Sequence, residues 1–156
     1  MDKRLPHNAK EGLLYGAIIC TLTVLFMSTF SITLNEGTFN TAIALTIIKV
    51  IPLVWVIAMV LEPILVGRVA EKLVQLFTAP TDSFHAKIFL RIFFTVFGMS
   101  LIMTFIGEML ANGIGTATFG NAISVWPRNF MVVLLVESLV IQPIARATMV
   151  RLHRIA

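Results

Sequence analysis

Five ionisable residues fall inside or beside long apolar stretches of this chain: Lys49, Glu62, Glu108, Arg128 and Glu137. A Lys, Arg or Asp at a bilayer centre costs about 2.5–3.5 kcal/mol on insertion scales, so such residues are functional candidates by default. Glu108 and Arg128 sit close to the ends of their stretches. With Lys49 and Asn129 they form a candidate polar cluster at the outer rim, with Glu108 between two cations. The competing use is as interfacial anchors whose long stems run along the helix to water. Lys49 bears on both readings, because a helix starting at Ala42 buries it by about 12 Å, which its side chain recovers only in part. Glu62 and Glu137 are candidate buried carboxylates. A protonated carboxyl there donates a hydrogen bond and glues helices; one that exchanges its proton couples to a gradient. Glu137 lies nearer mid-stretch and is the better placed of the two.

Other chemistry is sparse. One cysteine, Cys20, excludes a disulfide framework, a zinc cage and a Cys-x-x-Cys redox pair. Eight Met and twelve Phe read as filling for an irregular core rather than as a copper(I) site. His7, His85 and His153 are scattered. No His-Glu-x-x-His, glycine phosphate loop or Gly-x-Ser-x-Gly elbow is present. No catalytic, cofactor-binding or metal residue is therefore assigned, and no enzyme is expected. Gly12, Gly16 and Cys20 recur every four residues and make a small-residue helix-packing face, used inside the bundle or in a homodimer. Gly107 and Ala111 repeat that spacing. Thr21, Ser28 and Ser31 are candidates for hydrogen bonds between helices.

The elements that position these residues follow from composition. The chain has 156 residues, 58% hydrophobic and 13% charged, against about 45–50% apolar and about 25% charged in soluble domains. Four apolar stretches, Leu13–Leu34, Ala42–Val66, Ile88–Leu110 and Trp126–Ala145, are each about the 20 residues needed to span a bilayer as a helix. The expected fold is all-α, an integral membrane four-helix bundle. Basic residues fix its orientation. Lys3, Arg4 and Lys10, then Arg68, Lys72, Lys87 and Arg91, then Arg146, Arg151 and Arg154 all fall on one side. The connections Asn35–Thr41 and Ala111–Val125 contain no Lys or Arg. Both termini should therefore be cytoplasmic. The net charge of +4 is a topology signal, and no nucleic-acid partner is expected. The first stretch is long and lacks a small-x-small cleavage site, so it should be a retained span rather than a signal peptide.

The chain also repeats itself. Met27 to Gly37 parallels Met103 to Gly113, and Pro63-Ile64 parallels Pro143-Ile144. This places Glu62 opposite Gln142, Glu137 opposite Ile57, and Lys49 beside Asn129, leaving no symmetric carboxylate pair. Two hairpins of one orientation result, residues 1–80 and 81–156, as in parallel repeats. Between them, Gly67–Thr81 is amphipathic, either a continuation of the second span or a helix on the membrane surface. Ser83 or Asp82 can cap the third span. Asn8 with Glu11 resembles a capping box.

Lys10-Glu11-Gly12-Leu13-Leu14-Tyr15-Gly16, then Phe26-Met27-Ser28, then Pro63, resemble domain-of-unknown-function family 2798, small bacterial membrane proteins built of helical hairpins. The second copy diverges, with Ile88 and Ile92 where Gly12 and Gly16 stand in the first. The resemblance implies a bacterial plasma-membrane location and supplies no activity, cofactor or site residue. Two classes of function remain: a structural, accessory or interaction protein in the bilayer, with a second copy or another membrane protein as partner, and a small-solute or proton-coupled transporter.

Overall fold

The computed structural model describes residues 9–37, 40–79 and 81–155, and their regular structure is entirely helical. Helix α1 spans Ala9–Glu36 and α2 spans Thr41–Leu61. A π-helical turn, Glu62–Val66, leads directly into α3, Gly67–Phe77. The second copy repeats the order: α4 is Phe84–Asn112, α5 is Thr116–Val136, a π-turn occupies Glu137–Ile141, and α6 is Gln142–Ile155. Among the described residues, four helical runs are long and apolar enough to cross a membrane: Lys10–Leu34, Thr41–Phe77, His85–Asn112 and Thr116–Arg154.

Local chemistry sets the ends. Gly37 (φ 68°) and Gly113 (φ 74°) adopt a backbone conformation that disfavours a Cβ, and each donates its N–H back to a carbonyl of the helix it ends, Thr33 and Met109. Ser83 caps α4, its Oγ accepting from the Ala86 N–H at 3.3 Å. Asn8, the other expected cap, lies outside the described residues. The amphipathic segment after residue 66 continues the second helix. The expected long loop Ala111–Val125 is mostly helix: only Gly113–Gly115 separate α4 from α5. Its glycines and small polar residues lower the local hydropathy over the whole stretch, but the helical ladder is interrupted only at Gly113–Gly115.

The repeat register differs from the one set by Pro63 and Pro143. Thr41, Pro52 and Glu62 correspond to Thr116, Pro127 and Glu137, since helix starts, internal prolines and π-turns all coincide 75 residues apart. Burial decides the matter. Ile43, Ile47, Ala58, Val66 and Ala70 are buried, and so are their counterparts Thr118, Ala122, Val133, Ile141 and Ala145. In the proline-based register Ile43 and Ile47 would instead match the exposed Ile123 and Pro127. The proline match misleads because Pro63 lies inside its π-turn whereas Pro143 lies beyond its own. The symmetric carboxylate pair therefore exists: it is Glu62 and Glu137.

The chain divides into two compact units, Met1–Met59 with Val136–Ala156, and Val60–Leu135. In the first, α1 packs against α6 and the second π-turn, and Trp55 Nε1 donates to Thr21 Oγ1 at 2.9 Å. In the second, α4 packs against α3 and the first π-turn. There Trp126 Nε1 donates to Ser100 Oγ at 3.1 Å and Asn129 Nδ2 to Thr104 Oγ1 at 3.2 Å. Each unit thus sets the first helix of one copy against the leading part of its own second helix and the trailing part of the other copy's.

Candidate functional site

The two π-turns each open on a glutamate, and the two carboxylates have different company. A π-turn widens the helix by one residue, so that backbone N–H groups reach carbonyls five back; such turns recur at functional sites. Here the Gly67 N–H bonds to the Glu62 carbonyl, and the Gln142 N–H to that of Glu137.

Glu137 is buried, 6% exposed. Its Oε2 accepts from Thr23 Oγ1 on α1 at 2.9 Å, and its Oε1 from Gln142 Nε2 at 3.4 Å, a long bond. Gln142, 8% exposed, accepts in turn from Tyr15 Oη at 2.6 Å. One turn below Tyr15 on α1, Glu11 Oε2 lies 3.0 Å from His153 Nε2 of α6, an ion pair when the imidazole is protonated. A line of polar groups therefore runs along the α1–α6 seam: Thr23, Glu137, Gln142, Tyr15, then Glu11 with His153.

Glu62 is half-buried and lies within electrostatic reach of Arg91 on α4. Arg91 occupies on α4 the position that Tyr15 occupies on α1. Gly67 stands where Gln142 stands, Met99 where Thr23 stands, Lys87 where Glu11 stands and Thr78 where His153 stands. One turn thus faces a chain of hydroxyl, amide and carboxyl groups; the other faces a fixed cation.

Glu108, Arg128 and Asn129 of the rim set each make short contacts within the second unit. Glu108 accepts from Asn112 Nδ2 at 2.9 Å, one turn along its own helix. Arg128 Nη2 reaches Asn129 Oδ1 at 3.4 Å, and Asn129, buried, is held by Thr104. Lys49 is exposed. The small-residue face also divides. Cys20 is buried, but a Cβ placed on Gly12 or Gly16 meets nothing within 4 Å. The glycine that admits a close neighbour is Gly98, where a Cβ would stand 3.0 Å from Val66 Cγ1. Of the hydroxyls expected to join helices, Thr21 does so through Trp55.

Spacing alone did not single out Tyr15, Thr23, Trp55, Ser100 or Thr104 as partners. One signal was available, the five-residue interval from Glu137 to Gln142, which brings two side chains to one face of a wide turn but not of an ordinary α-helix. Aromatic packing follows the same register. Phe97 and Phe130, with ring centroids 5.6 Å apart, occupy the positions of Thr21 and Trp55, and Trp126 closes edge-on against Phe97 at 5.1 Å.

Comparison with known proteins fits this geometry. The family described as Domain of unknown function (DUF2798) matches residues 8–78 and again residues 85–153. The two matched segments end 75 residues apart, as the π-turns do. The chain is 28% identical over 154 residues to the Uncharacterized protein YybC of Bacillus subtilis (strain 168), covering 94% of each chain. No solved structure matches. Two tandem matches spanning nearly the whole sequence make this chain a member of the DUF2798 family, with the family's domain present twice.

Proposed function

We propose that this is a small bacterial plasma-membrane protein that crosses the bilayer four times with both termini in the cytoplasm, and that it works as an accessory or interaction protein, not as an enzyme. The observation that carries this reading is how the polar groups within the helices are used. Trp55 with Thr21, Thr23 with Glu137, Tyr15 with Gln142, Trp126 with Ser100, and Asn129 with Thr104 bond to one another between helices. Interhelical bonds of this kind hold membrane helices together, at about 0.6 kcal/mol each on average. The partners of such a protein are the lipid bilayer and a second copy or another membrane protein; nucleic acid is not among them. A photo-crosslinking residue placed at the exposed positions Ile48 and Leu139 in native membranes tests this. The accessory reading predicts a discrete protein adduct from one face. Lipid adducts alone, from every exposed position tried, count against it.

A second reading, a proton-coupled transporter of small solutes, is favoured by one feature, the buried Glu137 and its line of polar neighbours. It predicts that Glu137→Gln inserts normally and loses pH-driven uptake in vesicles.

A further inference from the structure

The comparison of the two π-turns acts as an internal control. Both copies keep the carboxylate and the widened turn. Only the second surrounds its carboxylate with groups that can exchange roles as donor and acceptor. From this geometry we propose that Glu137 is a reversible proton-binding site, served from the end of the α1–α6 seam where Glu11 and His153 pair.

Hydrogen-bond accounting supports two states at one position. In the charged state both carboxylate oxygens accept, one from Thr23 and one from Gln142. A buried acceptor or donor left without a partner is costly, so the protonated state must find an acceptor for its new O–H. Thr23 supplies it. A proton added to Glu137 Oε2 is donated to Thr23 Oγ1, and the Thr23 hydroxyl hydrogen rotates to the Ile19 carbonyl one turn back. That carbonyl contact is the ordinary choice for a helical threonine. Thr21 makes it to Ala17 at 2.6 Å and Thr29 to Leu25 at 2.8 Å on the same helix. Gln142 keeps its donation to Oε1 throughout. The proton comes from hydronium at the Glu11 and His153 end, which is left as water, and it reaches Oε2 past the Tyr15 hydroxyl without passing through the Gln142 amide, so no other reactant is required. In the first copy the same accounting fails. Met99 and Gly67 supply neither role, and Arg91 adds a permanent positive charge.

The elements packed against the Glu137 turn are α1 and α6. On α1 the ionisable groups nearest its depth are Tyr15 and the buried Cys20. On α6 the nearest charge in sequence is Arg146, one turn beyond Gln142, while Glu11 and His153 are engaged with each other. This site is independent of whether the protein has a membrane partner, because it concerns one proton and one unit of the fold.

Infrared difference spectroscopy of the intact protein in lipid nanodiscs tests it. The carboxyl C=O stretch is followed as the pH is stepped through the protein's stable range. The expected result is a pH-dependent carboxyl band that disappears in Glu137→Gln and shifts in Glu137→Asp. The Asp variant identifies the band even if the Gln variant fails to insert. Hydrogen–deuterium exchange of that band should slow by about tenfold or more in Tyr15→Phe and in Glu11→Gln, the change expected from a barrier raised by one lost hydrogen bond. Absence of any pH-dependent band assignable to Glu137 would overturn the proposal. Exchange unchanged in both Tyr15→Phe and Glu11→Gln would overturn the route. Thermal stability alone, which a purely structural bond also supplies, does not decide between these outcomes.

Discussion

Glu62 and Glu137 are one residue type at one kind of turn, and their neighbours make them different chemical objects. Thr23 is the side chain that most directly makes Glu137 part of a helix–helix contact, since it crosses from α1 to the π-turn at 2.9 Å. Thr23→Val keeps the shape and removes the hydroxyl. Unfolding of the variant in bilayer-like micelles should show a loss of about 0.6 kcal/mol, and at most about 1.7, the range measured for interhelical bonds in membranes. Wild-type stability in Thr23→Val would mean that this bond does not hold α1 against the second π-turn. Tyr15 and Gln142 belong to the same line, and neither is conspicuous in the sequence. A lone tyrosine near a basic N-terminus reads as an interfacial aromatic. Only the packing of α1 on α6 turns its hydroxyl toward an amide 127 positions away in the chain.

At the scale of elements, the helices were legible in the sequence, because apolar length is a local property, whereas the glycine stops at Gly37 and Gly113 emerge from the backbone. The register between the copies was not legible either. Two proline pairs are available, Pro63 with Pro143 and Pro52 with Pro127, and the more visible Pro-Ile match is the wrong one. A π-turn adds a residue without changing composition, so periodicity does not reveal it. Spacing alone marks Gly12 and Gly16 but does not tell which glycine meets a neighbour within the chain; that glycine is Gly98. Substitution separates the two kinds of glycine. Gly98→Leu forces a branched side chain into Val66, itself stiff and buried, and should cost about 1–3 kcal/mol as overpacking does. Gly16→Ala meets open space and should be neutral or stabilising by up to about 1 kcal/mol, the difference in helix propensity. Equal tolerance of both substitutions in thermal unfolding would contradict the contact between α4 and the first π-turn described here.

At the scale of the molecule, apolar surface is the dominant fact. Ile48, Leu76, Ile114 and Leu139 are each well over half exposed, along with many other large apolar side chains. A soluble monomer does not carry so much; helices apolar on all sides need hydrocarbon as well as protein around them. Polar side chains bond in pairs between helices inside the units, and the basic residues fall into three clusters that alternate with connections containing no Lys or Arg. The proposed insertion with both termini in the cytoplasm rests on the placement of the basic residues, and the proposed route to Glu137 from the Glu11 and His153 end depends on it. The most direct measurement is a paired reporter fused after Ala156 in a bacterial host, one enzyme active only outside the plasma membrane and one active only inside. The inside reporter should be active and the outside reporter silent, with the pattern reversed for fusions in the Gly113–Gly115 connection. Strong outside activity at Ala156 would contradict the topology, and with it the placement of Glu11 and His153 on the cytoplasmic side.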